Sequence, residues 1–353
     1  MKTKDFYFKL PQNLIAQYPV DKRGCDKLLV LDRITGNLQH RLVRDLPQLI
    51  PRGSLLVFNN SKVRKARIYG TAKDTGKIVE FLLLRPSVNG FSQWLVMLKK
   101  SRKIADGSRF VFPANVQASL SGEVEKFRLL HFDNPIDEQY LEQYGYVPLP
   151  PYIKRNDQNH FSFDDETRYQ TIYAKNTGSV ASPTAGLHWT DEMFAELKER
   201  GIETTFVTLH VGGGTFLPVR SENVEDHTMH KEYFFIDNDS ANKIERAKTE
   251  GRPLIAVGTT TLRTLESAWQ NGKLVRGESS TSIFIYGDYQ FKTAESLFTN
   301  FHTPESTLLM LVSSFAGAHS NAEHGRKMIF DAYNEAIKNN YKFFSYGDAM
   351  LIL

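Results

Sequence analysis

The chain has 353 residues, 41% of them hydrophobic and 24% charged, a balance that excludes a disordered chain and a membrane-embedded one. That length is too great for one ordinary core and predicts about two domains. Net charge is only +4, and Cys25 is the one cysteine, so neither an internal disulfide nor a cysteine-based metal cluster can form.

The N-terminal MKTKDFYFKLPQ lacks the apolar segment of a secretory signal. The longest apolar runs, such as Leu308 to Val312, fall far short of the roughly 18 residues a membrane helix needs. These features predict a cytoplasmic protein with no membrane contact. The charge is uneven: residues 61–110 hold 12 Lys/Arg against 3 Asp/Glu, a net +9 that leaves −5 for the rest. Such a block is a candidate phosphate-binding surface, the alternative being a solvated β-domain face. It contains Lys62, Arg64 and Arg67, then a second cluster of Lys99, Lys100, Arg102 and Lys103.

In chain order, Lys27–Asp32 and Ser54–Phe58 read as short strands around the turn at Pro51–Gly53. From about 62 to 132 the pattern is all-β, with runs at Ile78–Leu84, Trp94–Leu98, Arg109–Phe112 and Lys126–Phe132 broken by Gly, Pro, Asn and Ser. That spacing predicts a small antiparallel barrel or sandwich. It ends near an extended hinge at Pro148, Pro150 and Pro151. Beyond residue 165, strands alternate with helices. Thr190 reads as an N-cap and Gly201 as the residue past that helix; Thr204–His210 is a strand; Asp239 reads as the cap of a helix stopping at Gly251. Leu254–Val257 is a buried strand leading through Gly258 into a helix to about Gln270, and Ile283–Tyr286 reads as another strand. Helices are predicted over Glu305–Phe315 and Arg326–Asn339. The whole predicts an α/β core, a mixed sheet with helices, built from residues 1–60 and 150–353, with a β-barrel-like domain inserted at 61–149.

Five polar, glycine-containing or hydroxyl-rich stretches interrupt the core: VASPTAGLH (180–188), TLHVGGGTFLPV (208–219), EDHTMH (225–230), AVGTTTLRTLES (256–267) and TNFHTPESTLLM (299–310). The strand, tight turn and helix start at Val257–Arg263 favour an anion at the free N–H groups of Gly258, Thr259 and Thr260; a capped helix that binds nothing is the alternative. Gly212, Gly213 and Gly214 allow a close ligand approach, or simply a turn. Neither phosphate-loop nor dinucleotide signatures are present. Asp226, His227 and His230 have a spacing compatible with a metal, but no third convincing ligand. Acid–base work fits imidazole better.

Read together, these stretches resemble the signature blocks of the S-adenosylmethionine:tRNA ribosyltransferase-isomerase family of queuosine biosynthesis. So do LLVFNNSKVRKARIYG (55–70), YGYVPLPPYIKR (144–155), RYQTIYA (168–174) and FFSYGDAM (343–350), and the resemblance spans about residues 5–352. Three positions depart from the usual pattern: Thr303 stands where the family usually has Leu, Gly287–Asp288 where it often has Pro-Gly, and Lys27 where it often has Arg. Lys27 therefore lacks the guanidinium fork.

The resemblance implies that the ribosyl part of S-adenosylmethionine, the co-substrate, is transferred to 7-aminomethyl-7-deazaguanine at the wobble position of tRNA. Epoxyqueuosine forms, and adenine and methionine leave, with no metal required. The site must then supply acid–base groups, orientation and exclusion of water. His210, ending a strand beside the glycine loop, is the leading base; His188, His227 and His302 are the other candidates. Asp226 orients a histidine or holds the guanine-like edge, with Glu305 its rival for the second role. Thr184, Gly186, Gly212–Gly214, Gly258–Thr260 and Arg263 are expected around the co-substrate. The basic clusters are expected on tRNA, and the protein is expected to be a monomer. Two alternatives are an S-adenosylmethionine-dependent RNA methyltransferase and a non-catalytic RNA-binding protein.

Overall fold

The computed structural model describes residues 1–87, 90–98, 104–124, 126–155 and 164–353. The expected tRNA cluster Lys99, Lys100, Arg102 and Lys103 lies outside the described residues. In chain order the first elements are β1 (Lys27–Leu31), β2 (Leu38–Leu42), α1 (Leu46–Leu49), β3 (Leu55–Asn59) and β4 (Ser61–Val63). There follow β5 (Arg67–Ala72), β6 (Ile78–Ser87), β7 (Gly90–Leu98), β8 (Arg109–Val111), β9 (Gln117–Val124) and β10 (Phe127–Phe132). Next come α2 (Glu138–Tyr144), α3 (Asp165–Arg168), β11 (Asn176–Ser179), α4 (Asp191–Glu199), β12 (Glu203–His210), β13 (Glu232–Ile236), α5 (Asn238–Thr249) and β14 (Leu254–Val257). The chain closes with α6 (Thr259–Ala268), the hairpin β15 (Trp269–Gln270) and β16 (Lys273–Leu274), then β17 (Gly277–Thr281), β18 (Ser296–Asn300), α7 (Thr307–Ala316), α8 (Ala322–Lys338) and β19 (Ala349–Ile352).

The expected α/β core and antiparallel barrel are both present. Strands β10-β7-β6-β5-β8-β9 close into a barrel around Phe81, Trp94, Phe110 and Leu120, all essentially inaccessible. The larger sheet runs β17-β13-β12-β3-β14-β18-β19-β1-β2. Its middle strands β3 (LLVFN) and β14 (LIAV) are buried along their whole length, as strands covered on both faces must be. Strand β3 pairs in parallel with β12 and β14, and β14 with β18. Four strands therefore deliver their C-terminal residues to one edge: His210, Asn59, Val257 and Asn300. In open α/β sheets that edge is where ligands bind.

Asn59 ties this edge together. Its amide donates to the Leu209 carbonyl (3.0 Å) and to Thr260 Oγ1 (3.2 Å), and its oxygen accepts from the N–H groups of Ser61 (3.1 Å) and Leu209 (3.0 Å). That is the full hydrogen-bonding capacity of an asparagine, spent in a fully buried position. The ends of β3, β12 and α6 are thereby locked to one another.

Two local readings need correction. Residues 283–286 are not a strand; the sheet edge is β17, whose Ser280 pairs with Tyr233. The apolar run IFIY instead packs irregularly on the core, with Ile285 buried. The cap of α5 is Asp237, whose carboxylate accepts from Ser240 N–H, and not Asp239. The predicted cap at Thr190 is present, its hydroxyl accepting from Met193 N–H.

Candidate active site

A cavity of about 270 Å³ opens between the barrel and the C-terminal edge of the sheet. Barrel residues Leu84, Arg85, Pro86, Leu95 and Phe127 form one wall. The other is made by Thr177–Gly178, by His210 to Gly214, and by His230 to Tyr233. Arg64, on the connection into the barrel, completes it.

His210 ends β12, and in the β12–β13 ladder it pairs with Tyr233, so both side chains share a face. Its Nδ1 lies 2.7 Å from the hydroxyl of Ser61, which is completely buried. The rest of the ring lies against Gly178: a Cβ at that position would come within 2.8 Å of Nε2 and Cε1. Only glycine accommodates the ring there. Burial, and then the nearby Arg64 guanidinium, push the imidazole down to about 4, so the ring is neutral at neutral pH.

The glycine loop after β12 is built for contact. A Cβ on Gly213 would meet Leu84 of the barrel at 2.7 Å, and one on Gly214 would meet the Cβ of His230 at 2.8 Å. Gly212 N–H donates to Glu232 (3.3 Å). Arg263, expected near the co-substrate, forms a buried ion pair with the same Glu232 at 2.5 Å. Its Nε has no hydrogen-bond partner among the described residues.

A second buried network lies where the PTAG turn meets β18. The Thr184 hydroxyl donates to Asn300 Oδ1 (2.9 Å), and Asn300 Nδ2 donates to His188 Nε2 (3.0 Å). His188 Nδ1 donates to Asp26 (2.9 Å). His188 is thus satisfied on both nitrogens and does not line the cavity. Gly186 packs under Tyr173, whose hydroxyl a Cβ would meet at 2.2 Å. Gly258, with φ +93°, starts α6 beside Ala185, so Thr259 and Thr260 sit next to this turn.

Of the remaining described candidates only Arg64 lines the cavity. His302 is buried against Thr299 Oγ1 (3.0 Å), and burial pushes it down to about 3. His227 stacks edge-on against Phe284 (5.2 Å); burial, then His230 and Lys126, lower its pKa. Asp226 is exposed and accepts from Asn223 (2.8 Å). Glu305 adopts a left-handed φ of +55°, its N–H donating to the Phe6 carbonyl. Arg64 reaches Glu138 (2.5 Å) and lies over the Trp94 ring, while Arg67 bonds Glu80 (3.2 Å) and the Leu149 carbonyl (2.9 Å). Lys62 is half-buried on β4. Lys27, at the departing position, donates to the Asn339 carbonyl (2.8 Å) beyond the end of α8.

Sequence reasoning did not single out Ser61, Gly178, Glu232 or Tyr233 as site residues, although Ser61 lies in the NNSKV block. It met His230 beside Asp226 and His227, as part of a metal pattern or for acid–base work, and did not name it among the catalytic candidates. Among the described residues no group of three or more His, Cys, Asp or Glu is arranged to hold a metal ion, and no helix is long and apolar enough to cross a membrane.

The sequence matches the family described as queuosine biosynthesis protein over residues 3–352. It is 51% identical to a Treponema denticola protein named S-adenosylmethionine:tRNA ribosyltransferase-isomerase, covering 100% of both chains. It is 44% identical to the protein of that name from Clostridioides difficile, again over 100% of both. The crystal structure of an S-adenosylmethionine tRNA ribosyltransferase from Thermotoga maritima is similar at a TM-score of 0.55 and 32% identity, covering 99% of this chain and 100% of that one. With its sheet edge, its barrel and the histidine between them, this chain belongs to the queuosine biosynthesis protein family.

Proposed function

We propose that the chain is an S-adenosylmethionine:tRNA ribosyltransferase-isomerase. It moves the ribosyl part of S-adenosylmethionine onto the aminomethyl-deazaguanine of a tRNA wobble position, in the cytoplasm. The observation that carries this reading is end-to-end identity of 44–51% to proteins of that name. The cavity supports it. At about 270 Å³ it lies near the low end for small-molecule sites, roughly 300–1,000 Å³, and suits a nucleoside-sized group entering from an open mouth.

S-adenosylmethionine supplies a sulfonium that acidifies the ribose carbon beside it. The protein's part is placement and proton handling. The Gly212–Gly214 loop and Leu84 close the walls and exclude water. His210 and His230 are the imidazoles on the wall. Arg85 and Lys231 make the cavity wall cationic, which favours the approach of RNA. Lys62 and the Lys99, Lys100, Arg102, Lys103 cluster hold phosphates and set register without reading sequence. The test is nucleoside analysis of tRNA carrying the aminomethyl base after incubation with S-adenosylmethionine: epoxyqueuosine supports the reading, and a methylated nucleoside overturns it.

A further inference from the structure

We propose that Ser61 fixes His210 as the tautomer with its proton on Nε2, so that His210 meets the substrate as a hydrogen-bond donor and Ser61 is its positioning residue. The proposal rests on the reading that the cavity is the reaction site. It changes the expected role of His210 from proton acceptor to donor.

The assignment follows from where protons can go. The Ser61 side chain is completely buried, and its hydroxyl has one hydrogen-bond partner among the described residues, His210 Nδ1 at 2.7 Å. A hydroxyl that donates to Nδ1 is satisfied. One that accepts from an Nδ1–H strands its own proton in a dry interior, which buried polar groups avoid. Nδ1 is therefore the acceptor, and the ring proton of the neutral imidazole sits on Nε2. That nitrogen lies over Gly178, a cavity-lining position where any Cβ would cover it at 2.8 Å. The ring stays neutral because burial, and then Arg64, disfavour a second proton.

His188 shows the opposite arrangement in the same protein. There the Asn300 amide donates to Nε2 and the Asp26 carboxylate takes the Nδ1 proton. The partner of each ring sets its tautomer, and of these two rings His210 is the one that lines the cavity.

A neutral Nε2–H suits an oxygen or ring nitrogen that gains electron density as the sugar parts from adenine, without full proton transfer. Removal of a proton from the ribose carbon then falls to another group. Among the charged and titratable residues of the wall besides His210, Arg64, Arg85 and Lys231 are cationic, Glu232 is held by Arg263, and Tyr233 carries a phenol. His230 is the remaining imidazole.

The test is nitrogen-15 NMR of the full chain carrying ring-labelled histidine, between about pH 5.5 and pH 8, a window that brackets ordinary imidazole titration. The His210→Gln spectrum assigns the signal. The expected result is an Nε2–H pattern that does not titrate across this window. An Nδ1–H pattern, or titration at the ordinary histidine pH, overturns the proposal. Ser61→Ala is expected to give mixed tautomers and a lower kcat at unchanged KM for S-adenosylmethionine, with Ser61→Thr restoring both. In adenine release, His210→Gln, whose amide N–H reaches the Nε2 position, should exceed His210→Ala by about tenfold, part of what one positioned donor supplies. Equal loss in the two variants overturns a donor role. If the parent releases no adenine, the functional reading fails while the tautomer result still stands or falls on its own spectrum.

Discussion

Arg263 of α6 and Glu232 of β13 form an ion pair at 2.5 Å with both side chains buried, joining the helix to the strand that carries one wall of the cavity. The same carboxylate receives Gly212 N–H. Arg263→Ala would leave a buried carboxylate unpaired, which costs about 3–5 kcal/mol. Arg263→Met with Glu232→Gln removes both charges and should recover much of that. Chemical denaturation checks it; a loss below about 1 kcal/mol in the single variant would mean the pair is not the buried tie described here.

The Thr184–Asn300–His188–Asp26 chain predicts that His188 acts through stability. His188→Ala orphans a buried carboxylate and a buried amide, and should destabilise the fold by about 2–4 kcal/mol. A variant of unchanged stability whose turnover falls a hundredfold would place His188 in the chemistry.

Gly178→Ala places a methyl group within 2.8 Å of the His210 ring. The ring must move, and a displacement near 1 Å costs roughly 10²-fold in rate. Steady-state adenine release should fall on that scale while S-adenosylmethionine affinity changes little. Parent-like turnover would show that the orientation of His210 is not critical.

The buried His302 and the half-buried His210 make folding pH-dependent. His302 is pushed down to about 3 and His210 to about 4, both below the ordinary 6.5. In the unfolded chain each takes a proton as pH falls past that value, while the folded protein resists it. Their contribution to stability is therefore whole above about pH 6.5 and is lost as pH falls toward the folded values. Between pH 6.5 and pH 5, one such group loses about 2 kcal/mol. Urea denaturation at pH 7.5 and pH 5 should show a smaller drop for His302→Gln than for the parent; equal drops would contradict this.

The architecture was legible because its signals are local. Continuous apolar runs such as LIAV mark fully buried strands, and the Gly- and Asn-broken runs after residue 62 mark a barrel. The IFIY run misled because its apolar residues pack on the core without pairing in the sheet. Two of the five polar stretches reach the cavity, 208–219 with His210 and the glycine loop and 225–230 with His230, while no residue of the other three lines it. What sequence did not reveal was division of labour. Asp26 and His188 are 162 positions apart yet 2.9 Å apart in space, and Ser61 meets His210 across 149 positions. Such pairs depend on strand order, which residue spacing does not encode.

The central claim is tested most directly by the small molecules released from S-adenosylmethionine when the protein meets tRNA carrying the aminomethyl-deazaguanine. Adenine and methionine should appear together, in equal amounts, and only with that tRNA. S-adenosylhomocysteine in their place would contradict ribosyl transfer and make the protein a methyltransferase.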